Sequence, residues 1–174
     1  RFVGDPVAAV AAVDEETALA ACGLIEVVYE PLPVIGSVDD AAATPAPQLH
    51  GYADEGNWHK LVHLQFGGLD EGFRRADLVR EDLFLYEGNT HLPMEQHASI
   101  AHAGADGRVT VWSSTQTPHY LHRALSKVLD LPPARIRVIA TPNGGGFGGK
   151  SDPFNHEIVV AKLSLVTGRP VKVG

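Results

Sequence analysis

The sequence predicts an α/β fold of mixed α+β character, and three stretches carry that prediction. ASIAHAGADGRVTVWSS (98–114) joins two β-prone runs through GADG, whose Asp106 and Gly107 supply turn conformations, so it reads as a hairpin. RIRVIAT (135–141), the glycine loop GGGFGGKS, FNHEIVVAKLSLVTG (154–168) and PVKV (170–173) read as strand, loop, helix and strand, the α/β theme. Between them TPHYLHRALSKVLD (117–130) is amphipathic, with Tyr120, Leu121, Ala124, Leu125 and Val128 on one helical face. The hairpin makes the expected sheet mixed.

In chain order, residues 1–34 predict a strand through Val13, a short helix, and a strand through Tyr29 that Pro31 and Pro33 end. Asp14 is a good N-cap, and Glu15 and Glu16 occupy the first turn, where the helix dipole favours acids. Residues 35–57 turn to Ala, Pro, Asp and Gly without periodicity and read as a linker. HKLVHLQFG (59–67) alternates like a strand, LDEGFRRAD (69–77) suits a turn or two of helix, and DLVREDLFLYEG (77–88) reads as extended. In the amphipathic helix Thr117 is the expected N-cap, with Pro118 at the first position and Pro132 and Pro133 beyond its end. Gly168 is the expected stop of the last helix. There is no internal repeat.

The chain has 174 residues, 44% hydrophobic and 20% charged, enough for one large or two small globular domains. A net charge of −7 with 14 scattered Lys and Arg argues against a nucleic-acid partner. Cys22 is the sole cysteine. It excludes an internal disulfide and an iron–sulfur cluster held by this chain alone, and its apolar setting, ALAACGLI, predicts a buried thiol in a reducing compartment. No apolar run reaches the roughly 20 residues of a membrane span and no signal peptide opens the chain, so a cytoplasmic location is expected. Arg1 in place of a starting Met, and an end at the start of a strand, mark the expected piece of a longer protein.

GGGFGGKS (144–151) admits competing chemistries. As G-x-x-x-x-G-K-S it fits a phosphate-binding P-loop, in which Lys150 would reach the outer phosphates and Ser151 would ligate magnesium. Asp152 places negative charge at the phosphate end, Pro153 removes an N–H, and Asp14, an acid after an apolar strand that could hold the magnesium, lies far upstream. As G-x-G-x-x-G (Gly144, Gly146, Gly149) it needs an acid about 20 residues on, where the chain has Thr167, Gly168, Arg169 and Pro170. A plain connection would not need five glycines around Phe147, each with its loss of backbone entropy.

PNGGGFGGKSDPFNHEIVVAKLSLVTGRPVKV resembles the cofactor loop and following helix of the large, molybdenum-binding subunit of the xanthine dehydrogenase and aldehyde oxidase family. VGDPVAAVAAVDEETALAACGLIEVVYEPLPV, NTHLPMEQHASIA and VWSSTQTPHYLHRAL resemble further pieces of that subunit, in the same order. The resemblance implies residues 1–45 as the end of a hammerhead-like α/β domain, 46–80 as a connecting segment, and 81–174 as the start of a first molybdopterin-binding domain with a mixed sheet. GNTHLPMEQHA, SSTQTPHYLHRAL and GGGFGGKSDPFNHE are most similar to the 4-hydroxybenzoyl-CoA reductase branch, and Ser151 stands where the purine-oxidising branch has a glutamate, which disfavours xanthine.

The resemblance also implies the site. The amides of Gly145, Gly146, Phe147 and Gly148 would cradle the cofactor, those around Phe147 and Gly148 facing an oxygen ligand of molybdenum. Gln116, the expected catalytic residue, would donate to that oxygen from the opposite segment, so Gln116 and Phe147 would lie next to the metal without ligating it. Glu95 is expected to be structural, and the catalytic base to lie in a later domain. Among the histidines, the pairs His119/His122 and His91/His97 lack a third ligand and make a weak zinc site. The implied cofactor is molybdenum-molybdopterin in its cytosine dinucleotide form. Implied partners are an iron–sulfur [2Fe–2S] subunit and an FAD subunit for electron transfer, in an oligomer of heterotrimers acting on a small aromatic or acyl-CoA substrate. Reductive dehydroxylation of 4-hydroxybenzoyl-CoA is the leading expectation and hydroxylation of an aldehyde or heteroaromatic ring the alternative.

Overall fold

In the computed structural model, which describes residues 2–43, 48–51 and 56–174, Asp14 caps the first helix as its side chain predicts. Its Oδ1 accepts from the Thr17 N–H at 2.8 Å, and α1 runs Glu15–Cys22. No residue of α1 is buried and Cys22 is exposed, which corrects the expectation of a buried thiol. The small apolar residues around Cys22 are spread about the helix and give it no stripe to bury. The flanking segments expected as strands, up to Val13 and through Tyr29, form none, because among the described residues they find no partner for a backbone ladder.

The stretch read as irregular holds a short helix, α2 (Val38–Ala43), at whose start Ser37 Oγ accepts from the Asp40 N–H at 3.0 Å. The boundary expected between 45 and 46 falls partly on residues 44–47 and so lies outside the described residues. Helix α3 (Leu69–Arg75) forms where expected, with the Arg74 and Glu71 side chains paired one turn apart. The runs 59–67 and 77–88 join no sheet, and Leu83, Phe84, Leu85 and Tyr86 are all exposed.

Two compact units divide the chain: Arg1–Asp5 with Glu26–Glu87, and Pro6–Ile25 with Gly88–Gly174. The second holds the sheet. Strands β1 (Ser99–Ala103) and β2 (Val109–Ser113) pair antiparallel, Ser99 opposite Ser113 and Ala103 opposite Val109. The turn closes through Gly104 N–H to the Arg108 carbonyl at 2.8 Å, with Gly107 at φ 76°. After β2 come helix α4 (Pro118–Leu129), a 3₁₀ turn at Pro133–Arg135, and β3 (Ile136–Ala140), which returns parallel to β2. Helix α5 (Asn155–Thr167) and β4 (Val171–Val173) follow, β4 lying antiparallel to β1. The order β3-β2-β1-β4 is the mixed sheet that the hairpin and the α/β theme together require.

Alternation along the strands turns Ala101, Ala103, Val109 and Val111 to the helices, where Leu121 and Leu125 of α4 and Val160 and Ala161 of α5 close the core. The buried stripe of α4 is narrower than predicted: Tyr120 and Val128 are exposed, and the Arg123 guanidinium lies 4.5 Å from the Tyr120 ring centroid. A helix laid on one sheet face needs only the 121/125 pair to reach it. Gly168 ends α5 in the left-handed conformation, as predicted.

Two buried polar side chains fasten α5 to the sheet. Glu157 accepts from Ser113 Oγ at 2.5 Å and from the Phe154 N–H at 2.8 Å. Ser164 Oγ accepts from the Ala103 N–H at 2.8 Å and donates to the Arg169 carbonyl at 2.7 Å. No helix among the described residues is long and apolar enough to cross a membrane. Replacing fully buried Ser164 with Ala strands one donor and one acceptor, an expected loss of about 1–3 kcal/mol in the full-length protein by denaturant unfolding.

Candidate functional site

Both loops that carry the expected site residues leave the sheet at the carboxyl ends of the parallel strands β2 and β3. In open α/β sheets that edge is where ligands bind. The Thr141 N–H continues the ladder to the Ser113 carbonyl at 2.9 Å, and Asn143 Nδ2 donates to the Ser114 carbonyl at 2.9 Å, so the glycine run starts from a fixed point. It then turns back on itself: Gly149 N–H meets the Gly146 carbonyl at 2.7 Å, and Ser151 N–H the Gly148 carbonyl at 3.2 Å.

The glycines answer to steric demands. A Cβ on Gly146 would lie 2.4 Å from Gln116 Oε1, one on Gly144 2.7 Å from Glu95 Cβ, and one on Gly149 2.8 Å from His91 Cγ. Gly145 and Gly148 stand at φ 105° and 88°. Phe147 between them also has positive φ, 50°, uncommon for a side chain of its size, and the residue is 75% exposed. Among the described residues, none accepts a hydrogen bond from the backbone N–H groups of Gly145, Gly146, Phe147 or Gly148. Consecutive amides with no protein acceptor, on a buried glycine in the case of Gly146, form a cradle for an oxygen-bearing group.

The segment after β2 is sewn to this loop. Gln116 N–H donates to the Lys150 carbonyl at 2.9 Å, and Thr117 Oγ1 to the Ser151 carbonyl at 2.5 Å. In return the Lys150 N–H donates to Gln116 Oε1 at 3.1 Å, and Ser151 Oγ approaches the same oxygen at 3.4 Å. With the carboxamide oxygen so held, the Gln116 NH2 is the end left to donate to a ligand. Gln116 and the loop that carries Gly145, Gly146, Phe147 and Gly148 are therefore side by side, with Gln116 against Gly146.

What sequence reasoning missed is the fate of Lys150. Its side chain is 1% exposed, and its ammonium lies 2.5 Å from Glu95 Oε2, which also accepts the Gly144 N–H at 2.8 Å. The hydrogen bond from Lys150, then that from Gly144, hold the Glu95 carboxyl below the usual glutamate range. This removes the P-loop reading. A P-loop lysine must reach phosphates, whereas this one is engaged with an acid, and α5 begins at Asn155, past Asp152 and Pro153, rather than at the Lys-Ser pair.

The histidines take other partners. His122 Nε2 lies 3.1 and 3.2 Å from the carbonyls of Pro133 and Ile136. His97 packs against Phe154 and His156, ring centroids 4.6 and 5.4 Å apart, and burial first, then the nearby His97, lower the His156 pKa to about 4. Among the described residues no group of three or more His, Cys, Asp or Glu could hold a metal ion. The donors at the cradle are all neutral N–H groups. They suit a group that carries its own metal ligands and presents oxygen to the protein.

Comparison with known proteins points the same way. Residues 51–174 match the family model of the molybdopterin cofactor-binding domain. The chain is 36% identical over 173 residues to the xanthine dehydrogenase molybdenum-binding subunit of Escherichia coli, covering 99% of this chain and 23% of that protein. It is 35% identical over 173 residues to the nicotinate dehydrogenase large molybdopterin subunit of Eubacterium barkeri, covering 99% of this chain and 40% of that one. Quinoline 2-oxidoreductase of Pseudomonas putida 86 superposes with a TM-score of 0.78 at 26% identity, over 92% of this chain and 20% of the other. The chain thus spans between a fifth and two fifths of the length of these relatives.

Two outcomes check this geometry. Gly146→Ala is expected to push the Gln116 side chain off the loop, visible in a crystal structure of the variant as a changed Gln116 rotamer. For Glu95, a carboxyl held below its unfolded value gives stabilisation that is complete above the ordinary glutamate range and lost as pH falls through the folded value. Glu95→Gln is accordingly expected to lower the melting temperature at neutral pH, with the gap to the unaltered protein closing as pH falls below the ordinary glutamate range. A gap independent of pH contradicts the ion pair.

Proposed function

The chain belongs to the molybdopterin cofactor-binding domain family, and from that premise we propose that it is part of the large, catalytic subunit of a molybdenum-dependent oxidoreductase. The run of acceptor-free amides at Gly145–Gly148, with Gly146 against a carboxamide whose oxygen is already held, carries the reading. When bound, a molybdenum–pterin centre supplies two-electron chemistry at a substrate carbon. The chain's own part is to hold and orient. The amides of Phe147 and Gly148 and the NH2 of Gln116 donate toward one oxygen from two sides, stabilising negative charge on it without adding a charged group. Gly145 and Gly146 allow the backbone to approach, and the exposed Phe147 ring offers an apolar wall to a planar substrate.

For the substrate, the motifs around His91, Gln116 and Ser151 support reductive removal of the ring hydroxyl of 4-hydroxybenzoyl-CoA. That reaction consumes two electrons and two protons and releases water. The nicotinate and quinoline enzymes among the relatives favour a second reading, hydroxylation of a heteroaromatic or aldehyde carbon with oxygen from water and release of two electrons and two protons. In either direction we take electrons to pass through iron–sulfur and FAD subunits, a reading with which the lone Cys22, too few ligands for a cluster, is consistent. We take the pterin to be the cytosine dinucleotide form, the assembly an oligomer of heterotrimers, and the compartment the cytoplasm.

Metal analysis of the intact complex tests the class: about one molybdenum per large subunit is expected, and none overturns the proposal. Gln116→Ala is expected to lower turnover by about 10–100-fold with assembly retained; unchanged turnover removes Gln116 from the site. Turnover in ¹⁸O-labelled water separates the two substrate readings, since label enters the product only in hydroxylation.

A further inference from the structure

Resting on the proposed function, we propose that Glu95 and Lys150 are a positioning pair that sets the direction of the cradle amides and the tilt of Gln116. A single atom, Glu95 Oε2, receives the Gly144 N–H at 2.8 Å and the Lys150 ammonium at 2.5 Å. It therefore ties the first residue of the run 144–150 to the last, as a cross-link would. The main chain of Lys150 meanwhile fixes Gln116 twice, its N–H on Oε1 at 3.1 Å and its carbonyl accepting the Gln116 N–H at 2.9 Å. Lys150 thus connects the acid on one side of the loop to the carboxamide on the other.

Between these ties lie Gly145 to Gly148. Glycine has the widest backbone freedom of any residue, so the direction of a mostly glycine segment is decided by its anchors. The anchor here is stiff because of charge. An ammonium with 1% of its side chain exposed cannot leave its carboxylate without being stranded out of water. Lys150 acts through the loop, and Glu95 through Lys150 and Gly144. Their effect on chemistry is to hold the donors at Phe147, Gly148 and Gln116 on one target, where small errors of aim matter.

The test uses the intact complex with Lys150→Met, which fills the buried volume without charge while the partly exposed Glu95 can turn to water. Three quantities are read: molybdenum content, the Mo(V) electron paramagnetic resonance spectrum, and kcat and KM separately. The expected result is molybdenum retained to within about twofold, shifted Mo(V) lines, and kcat lowered about 10–100-fold with KM little changed. An unshifted spectrum with unchanged kcat at full molybdenum content overturns the pair's role and leaves the proposed function standing. If Lys150→Met fails to assemble, the double variant Glu95→Gln/Lys150→Met, which keeps an acceptor for Gly144, takes its place and is read against the same results. Failure of both to assemble also overturns the proposal, since the pair then serves folding rather than aim. An unaltered complex without molybdenum overturns the proposed function and this inference with it.

Discussion

The ammonium of Lys150 has to be neutralised where it lies, out of water, and the carboxyl edge of the sheet is arranged around the carboxylate that does so. Glu95 reaches it from the segment before β1, 55 residues away along the chain, and the same oxygen takes the Gly144 N–H. Once those contacts are made, the run 144–150 has both ends fixed and its middle presented. Gln116 then has one orientation open to it, oxygen toward the Lys150 N–H and amide outward. A loop that looks flexible by composition is held at each end by a charged or backbone contact.

The fold supplies the platform for this. The loop needs β2 and β3 side by side and parallel, because their carboxyl ends launch the two segments that meet over Gly146. Parallel pairing requires a crossover, which α4 provides through the contacts of Leu121 and Leu125 with the sheet. The far side of the loop is secured by Glu157, whose carboxylate takes the Ser113 hydroxyl at the end of β2 and the Phe154 N–H at the start of α5. Residue 113 therefore serves two purposes, since its carbonyl also receives the Thr141 N–H as β3 ends.

Local chemistry in the sequence was legible where it was sufficient. Asp14 capped α1, GADG closed the hairpin, Pro118 opened α4 and Gly168 closed α5, each by an interaction within a few residues. The extended runs around Val13, Tyr29, Leu64 and Phe84 looked equally strand-like, yet a strand exists only with a partner, and alternation cannot say whether one is present. Gln116 and Gly145–Gly148 are suggested by family wording together with the glycine pattern. The Glu95–Lys150 pair is not, because an ion pair across 55 residues leaves no local trace, and Lys150 sits inside a motif that offers it a different role. The single hint was that Glu95 suited no catalytic part and read as structural.

As proposed above, the amides of Phe147 and Gly148 and the carboxamide of Gln116 would converge on one oxygen of a bound molybdenum centre. An experimental structure of the intact complex with its cofactor tests this most directly. A cofactor oxygen is expected within hydrogen-bonding distance, about 2.7–3.2 Å, of the Gln116 NH2 and of at least one of those two amides, with Lys150 still on Glu95. A cofactor seated away from the loop, or a phosphate group bound to the Lys150 ammonium, would contradict it.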